Sequence, residues 1–283
     1  MEDVSFLNQV ISTYQHWRAR LYPYLQNLAL DLGLVKGHED YTRFIILGRS
    51  RSGSNFLRGL MNSHSEIVVF GELFQNEKAI GWAYPGYIQT RRMINQFHNE
   101  PVKFLQTQVF RRFPTRVMAV GFKIFYYHAQ TKNWRPVWDN LINDKTIKVV
   151  HIKRRNILKT HLSRKLAAKT DVWVNTSRSE ENIQQVIIDD KECLKDFIQT
   201  REWEKTYDQL FSAHPVIQIY YEELAQDYVS EIDRVQKFLG VRVETLKPET
   251  FKQASRPISK SIANYDDLKQ KFIGSPWESF FED

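Results

Sequence analysis

A chain of 283 residues with 42% hydrophobic content can bury a full core, and a single α/β domain spanning residues 1–283 is the expected organisation. The formal charge of +7 suits an anionic ligand, but Lys and Arg are scattered, and with no zinc-finger spacing or sustained basic helix, nucleic acid is not an expected partner. Cys193 is the single cysteine, which excludes an internal disulfide framework and favours a reduced, cytoplasmic setting; no apolar stretch approaches the ~18 residues of a membrane span.

Residues 1 to about 40 read as helical, with Phe6, Val10, Tyr14 and Trp17 at helical spacing and Pro23 interrupting them. Such an N-terminal extension packs on the domain or against a second copy, so a homodimer is open. Next, the apolar run Phe44–Leu47 is too short for a helix and is stopped by Gly48, which predicts a buried strand. A turn from Gly48 to Ser54 leads into Phe56, Leu57, Leu60 and Met61 at helical spacing. Strand, glycine turn and helix form an anion-binding arrangement, because free N–H groups and the helix dipole both favour negative charge there. A nucleotide P-loop would read G-x-x-x-x-G-K-[ST]. Here Gly48 and Gly53 keep the spacing, but Ser54 stands at the lysine position and Asn55 at the metal-binding hydroxyl, while a cation has moved to Arg51.

Glu66–Phe70 predicts a second strand that delivers Glu72 to the region where open α/β sheets bind ligands. Residues 75–116 form a long, aromatic and basic excursion, read as a helical insertion on the acceptor side or as a cover for the sheet. Val117–Phe125 is a third strand, with Lys123 near its end. Thr146–Ile152 is a fourth, and it runs into Lys153-Arg154-Arg155 where a magnesium enzyme would carry a carboxylate. A helix follows from Arg155 to about Ala168, with Leu158, Leu162 and Leu166 on its buried side. Ser163 lies roughly 12 Å along that helix from Arg155, so both can face one phosphate only if it lies along the helix flank. Ile183, Ile187, Leu194 and Ile198 predict a long helix over 180–211, continued or broken near Trp203, and Pro215–Tyr221 a further strand.

The segment Arg51-Ser52-Gly53-Ser54-Asn55-Phe56 resembles the 5′-phosphosulfate loop of sulfotransferases that use 3′-phosphoadenosine 5′-phosphosulfate (PAPS), especially the carbohydrate branch. Gly71-Glu72-Leu73-Phe74 and Gly121-Phe122-Lys123-Ile124 are similar to segments of bacterial trehalose and nodulation-factor sulfotransferases. Arg155, Asn156 and Ser163 fit the R-[ND]-x-x-x-x-x-x-S pattern whose Arg and Ser hold the 3′-phosphate. The resemblance implies a three-layer, P-loop-like α/β fold with a central parallel sheet flanked by helices. It also implies PAPS as donor, with no metal, and an acceptor hydroxyl on a saccharide or glycolipid. The loop residues Arg49, Ser50, Arg51, Ser52, Gly53, Ser54 and Asn55, then Arg155 and Ser163, and Arg256 in a late loop, are the implied donor contacts. Trp173 follows as in the trehalose sulfotransferases, and is either a packed core residue or a boundary of the site.

Glu72 is the expected general base, with Arg51 and Lys123 stabilising the transferring group in place of magnesium. The other reading of Glu72 is a strand-end carboxylate paired with one of the many nearby arginines. His64, His128, His151 and His161 show no metal-ligand spacing, and one of them is an alternative base. An ATP-dependent small-molecule kinase and a non-catalytic nucleotide-binding module are the competing functions.

Overall fold

The structure is a computed structural model that describes residues 24–87, 89–170, 185–247 and 257–282. Among these, five strands form one sheet in the order β3-β5-β2-β6-β7: β2 (Thr42–Gly48), β3 (Ile67–Glu72), β5 (Ala119–Phe125), β6 (Lys148–Lys153) and β7 (Val216–Tyr220). β3 runs parallel to β5 and β6 parallel to β7, and helices flank the sheet, so the chain has the expected α/β architecture. All seven residues of β5 are buried, as are the last five of β2 and of β6. Continuous apolar strands are what a parallel sheet covered on both faces requires. β7, at the edge, alternates instead.

The chain divides into two compact units, residues 1–45 with 65–147 and residues 46–64 with 148–283. In the first, helix α1 (described over 24–31) precedes β1 (Gly37–His38), which pairs antiparallel with β4 (Phe113–Pro114). The 75–116 excursion is partly helical, with α3 (Arg91–Asn99), α4 (Pro101–Phe104) and a π-helical turn at Leu105–Val109. Phe74, Phe97, Phe104 and Trp134 bury its inner face in ring contacts of 4.8 to 6.1 Å. Its arginines turn to the N-terminal segment: Arg111 bonds Asp31 and the Asn27 carbonyl, and Arg112 donates to the Gly37 carbonyl at 2.9 Å. The helix pattern expected before Pro23 lies outside the described residues.

The second unit contains α2 (Ser54–Asn62), α5 being the helix Arg135–Asn143 of the first unit, then α6 (Ile157–Thr170), α7 (Asp190–Leu210), α8 (Tyr221–Gln226) and α9 (Tyr228–Leu239). The short helix α10 (Ile258–Ser261) and then α11 (Tyr265–Phe272) follow, with a 3-10 turn at Glu278–Phe281. Their apolar side chains join Leu158, Leu162, Cys193 and Phe197 in one core cluster. The long helix corrects the sequence reading. Asp189 caps it by accepting from the Glu192 amide, so it starts at Asp190, and Ile187 lies before it, 75% exposed. Ile183 lies outside the described residues. Leu194 and Ile198 are exposed, and the buried stripe is Cys193, Phe197, Thr200, Glu204 and Tyr207. Two of those five are polar, which hides the face from a search for apolar periodicity.

Candidate active site

The turn after β2 carries the geometry of an anion cradle. Arg51 has φ 66° and Gly53 φ 88°, two left-handed residues one apart. Backbone of this kind turns N–H groups toward a common point. Gly53 is the N-cap of α2, which has no side-chain cap and no acidic residue in its first turn. The buried Ser52 hydroxyl donates to the Arg49 carbonyl at 2.8 Å and fixes the turn from within.

Gly48 and Gly53 are required by close approach. A Cβ on Gly48 would stand 2.6 Å from the Ile152 carbonyl oxygen, and one on Gly53 2.2 Å from the Tyr221 ring. Gly53→Ala is therefore expected to cost about 1–3 kcal/mol for a left-handed non-glycine residue and a further ~1–3 kcal/mol for displacing the ring. Gly240→Ala supplies the comparison, since Gly240 has a similar φ of 81° and nothing within 4 Å of its Cβ. Urea midpoints of the two variants should differ by the packing cost; equal midpoints would show that the Tyr221 contact yields freely.

The loop's two arginines have different surroundings. Arg49 is buried and points at α7, where it forms an ion pair with Asp196 at 2.9 Å, bonds the Thr200 hydroxyl, and lies over the Trp203 ring. Asp196 also takes Arg164 and, at 3.1 Å, His161. Arg49 thus anchors the loop to α7. Arg51 donates from Nε to the Ser163 hydroxyl on α6 at 2.8 Å. Arg154 donates to the Arg51 carbonyl at 3.1 Å and stacks on Tyr221, its guanidinium carbon 4.6 Å from the ring centroid. Burial lowers the proton affinity of both Arg51 and Arg154, with Tyr221 opposing in each case and Glu222, 4.0 Å from Arg154 Nε, opposing at Arg154. Guanidinium groups stay charged in proteins, so both are cations partly withdrawn from solvent.

Ser163 and Arg155, expected to share a phosphate, have separate partners. Ser163 is joined to Arg51, whereas Arg155 is exposed, pairs with Glu223 and stacks 4.3 Å from the Tyr220 centroid. The Glu223 partner holds the Arg155 guanidinium above its ordinary proton affinity. The Glu222 carboxylate accepts from the Arg155 and Asn156 amides, so it occupies the N-terminal end of α6. Asn156 caps that helix, its Oδ1 accepting from the Lys159 amide at 3.1 Å. Ser50 is half-buried, Ser54 buried and Asn55 exposed. Arg256 and Trp173 lie outside the described residues.

In the other unit, the β3–β5 register shifts between Phe70 and Glu72: Phe70 faces Phe122, and Glu72 faces Lys123. Gly71 is the extra residue of this bulge, and a bulge re-aims the side chain beside it. Its amide donates to the Trp82 carbonyl at 2.7 Å, and a Cβ there would stand 2.5 Å from the Gly81 carbonyl oxygen. The outcome is a Glu72–Lys123 ion pair of 2.9 Å between a lysine 2% exposed and a carboxylate 22% exposed. His128 Nε2 lies 3.9 Å from the second Glu72 oxygen, and burial pushes that imidazole down to about 4. Glu72 is thus paired with a cation, but with Lys123 and not with one of the arginines expected of it.

The remaining histidines have structural partners. His151 Nδ1 lies 2.9 Å from Asp208, which also binds Lys153 at 2.6 Å, and His64 Nε2 lies 2.8 Å from the Arg242 carbonyl oxygen. Among the described residues, no group of three His, Cys, Asp or Glu is placed to hold a metal ion, and no helix is long and apolar enough to cross a membrane. A surface cavity of about 400 Å³ opens between α7 and the end of β7, lined by Lys153, Arg201, Glu204, Lys205, Asp208 and Tyr220 among others. Its charges are paired with one another, Lys153 with Asp208 and Arg201 with Glu204.

Sequence reading missed Arg154, Tyr221 and Asp196. Tyr221 lay in a stretch read as fold residues, and only its ring against Gly53 reveals its place in the loop.

Known proteins are similar to this chain in sequence. The family model described as "Sulfotransferase family" matches residues 43–245. Nodulation protein H of Rhizobium tropici is 26% identical over 244 residues, covering 84% of this chain and 92% of that protein. Nodulation protein H of Rhizobium meliloti (strain 1021) is also 26% identical, over 246 residues, covering 84% and 94%. A sulfotransferase of known structure from Alicyclobacillus acidocaldarius aligns with a TM-score of 0.45 at 13% identity, covering 86% of this chain and 94% of its own. With the family model spanning the loop, the Glu72–Lys123 pair and α6, this chain belongs to the sulfotransferase family and is a transferase of sulfuryl groups.

Proposed function

We propose that the protein transfers the sulfuryl group of PAPS to a hydroxyl of a saccharide or glycolipid. The observation that carries the donor class is the pair of half-buried arginines at the turn, Arg51 within it and Arg154 just past the end of β6, where burial lowers the proton affinity of both guanidinium groups beside left-handed backbone. A multiply charged phosphosulfate would add negative charge at this cradle. Bound PAPS would bring the activated sulfuryl group. Arg155 would reach a 3′-phosphate by leaving Glu223, an exposed pair worth only about 0–1 kcal/mol.

Glu72 acts as the base in this reading. Its carboxylate takes the proton of the acceptor hydroxyl as the acceptor oxygen bonds to sulfur and the bond from sulfur to the donor phosphate oxygen breaks. Lys123 holds one Glu72 oxygen at 2.9 Å and so aims the carboxylate, and Arg51 stabilises charge at the loop. Similarity to nodulation protein H and to the carbohydrate branch supports a sugar hydroxyl as acceptor.

Thermal shift tests the donor class, because only a ligand of the native state raises the melting point, by about 2.7 kcal/mol of stability at a hundredfold excess over Kd. Adenosine 3′,5′-bisphosphate should stabilise the protein, AMP and Mg-ATP much less, and Arg155→Ala should erase the difference. Equal or greater stabilisation by Mg-ATP would replace the PAPS reading with the kinase one.

A further inference from the structure

His128 lies three residues past the end of β5 and is 3% exposed. Its ring is fixed on every side. The Phe125 amide donates to Nδ1 at 3.2 Å, the ring packs 4.8 Å from Phe125 and edge-on at 5.2 Å from Tyr127, and its carbonyl accepts the Trp138 indole at 2.9 Å. Ala129, next in the chain, has φ 53° and completes the turn in a conformation few side chains adopt. Because Nδ1 accepts a backbone hydrogen bond, the proton of the neutral ring must sit on Nε2. Nε2 is the atom that faces Glu72, 3.9 Å from Oε2, while Lys123 holds Oε1 at 2.9 Å. The titratable groups facing the ring are Glu72, Lys123 and Tyr127.

We propose that His128 is a positioning residue for Glu72, a neutral Nε2–H donor that fixes the second carboxylate oxygen once substrate is bound. This rests on the reading of Glu72 as base. The 3.9 Å separation is about 1 Å beyond a hydrogen bond, and catalytic contacts commonly tighten by such an amount in the substrate complex. With Lys123 on one oxygen and His128 on the other, the carboxylate has one orientation in which to meet the acceptor proton. Neither group takes that proton.

Two substitutions separate this role from support of the turn. His128→Asn keeps an acceptor where Nδ1 bonds the Phe125 amide but has nothing at the Nε2 position. His128→Gln can place its amide N–H there and gives up the turn contact. Turnover is measured with radiolabelled PAPS and a panel of neutral mono- and oligosaccharides, with water as the baseline acceptor, alongside bisphosphate affinity. His128→Asn should lose about 10²-fold in kcat at unchanged bisphosphate affinity, and His128→Gln should recover most of it. The reverse order, Asn active and Gln impaired, would make His128 a turn residue only. Nitrogen-15 NMR of the wild-type ring gives an arm that needs no acceptor: it must show the neutral Nε2–H tautomer at pH 7, and the Nδ1–H tautomer overturns the proposal. Glu72→Gln is run beside them. If it stays active, the base reading fails and this inference with it. If it is inactive while His128→Asn turns over normally, the positioning role alone fails.

Discussion

Glu72→Gln is expected to lower kcat by about 10²–10⁴-fold, the usual contribution of a positioned general base, and to leave bisphosphate binding unchanged. The substitution keeps shape. Its amide oxygen can still accept from Lys123, so the 2.9 Å contact and the bulge that creates it survive, but a neutral amide is too weakly basic to take a proton at neutral pH. The proposed donor cradle, with Arg51, Gly53, Arg154 and Tyr221, lies in the other compact unit and makes no use of Glu72. Activity and donor binding should therefore separate cleanly, with isothermal titration of the bisphosphate reading one and sulfate transfer the other. Turnover within tenfold of wild type would move the base elsewhere. Lys123→Met is the informative companion, because it leaves Glu72 in place but removes its buried partner.

How far the sequence reveals this site depends on whether a contact is local. Strand β2, its turn and α2 are legible because Phe44–Leu47, the glycines and the helical spacing after Phe56 are consecutive signals. Glu72 and Lys123 could each be nominated from sequence, but their contact could not, because it depends on Gly71 being an extra residue in the β3–β5 ladder. A shift of one residue turns a side chain to the other face of the sheet. Ser163 illustrates the same limit. Spacing along α6 relates it to Arg155, yet the closer partner is Arg51, brought in from a loop 112 residues earlier. The buried face of α7 escaped for a different reason: Thr200 on it accepts from the buried Arg49 and Glu204 pairs with Arg201, and polar residues that serve cations leave no hydrophobic period.

Asp196→Ala is expected to be the most damaging single change to folding among the site's supporting residues. The carboxylate receives Arg49 at 2.9 Å, His161 at 3.1 Å and Arg164, with Arg49 and Asp196 side chains 8% and 16% exposed. Removing one partner of a buried pair costs about 3–5 kcal/mol, because the cations stay behind without their counter-charge. Burial alone would raise the Asp196 pKa, but the His161 hydrogen bond and the charges of Arg49 and Arg164 outweigh it and hold the carboxyl well below its usual range. The sign follows directly: a carboxylate depressed in the native state adds stability above its unfolded pKa of about 3.9 and loses it as pH falls toward the native value. Wild type should therefore show an acid slope below about pH 4 that Asp196→Asn lacks. Arg49 carries the consequence into the site, since its carbonyl accepts the Ser52 hydroxyl inside the turn. Loss of Asp196 should then weaken bisphosphate binding as well as lower the urea midpoint. The double variant Arg49→Met with Asp196→Leu tests the cause, because replacing both members of a buried pair with apolar side chains is often neutral. If stability returns in the double variant while bisphosphate binding stays weak, Arg49 shapes the loop as well as anchoring it. If neither returns, the Arg164 and His161 contacts carry the cost, and α7 is fastened to α6 more strongly than to the loop.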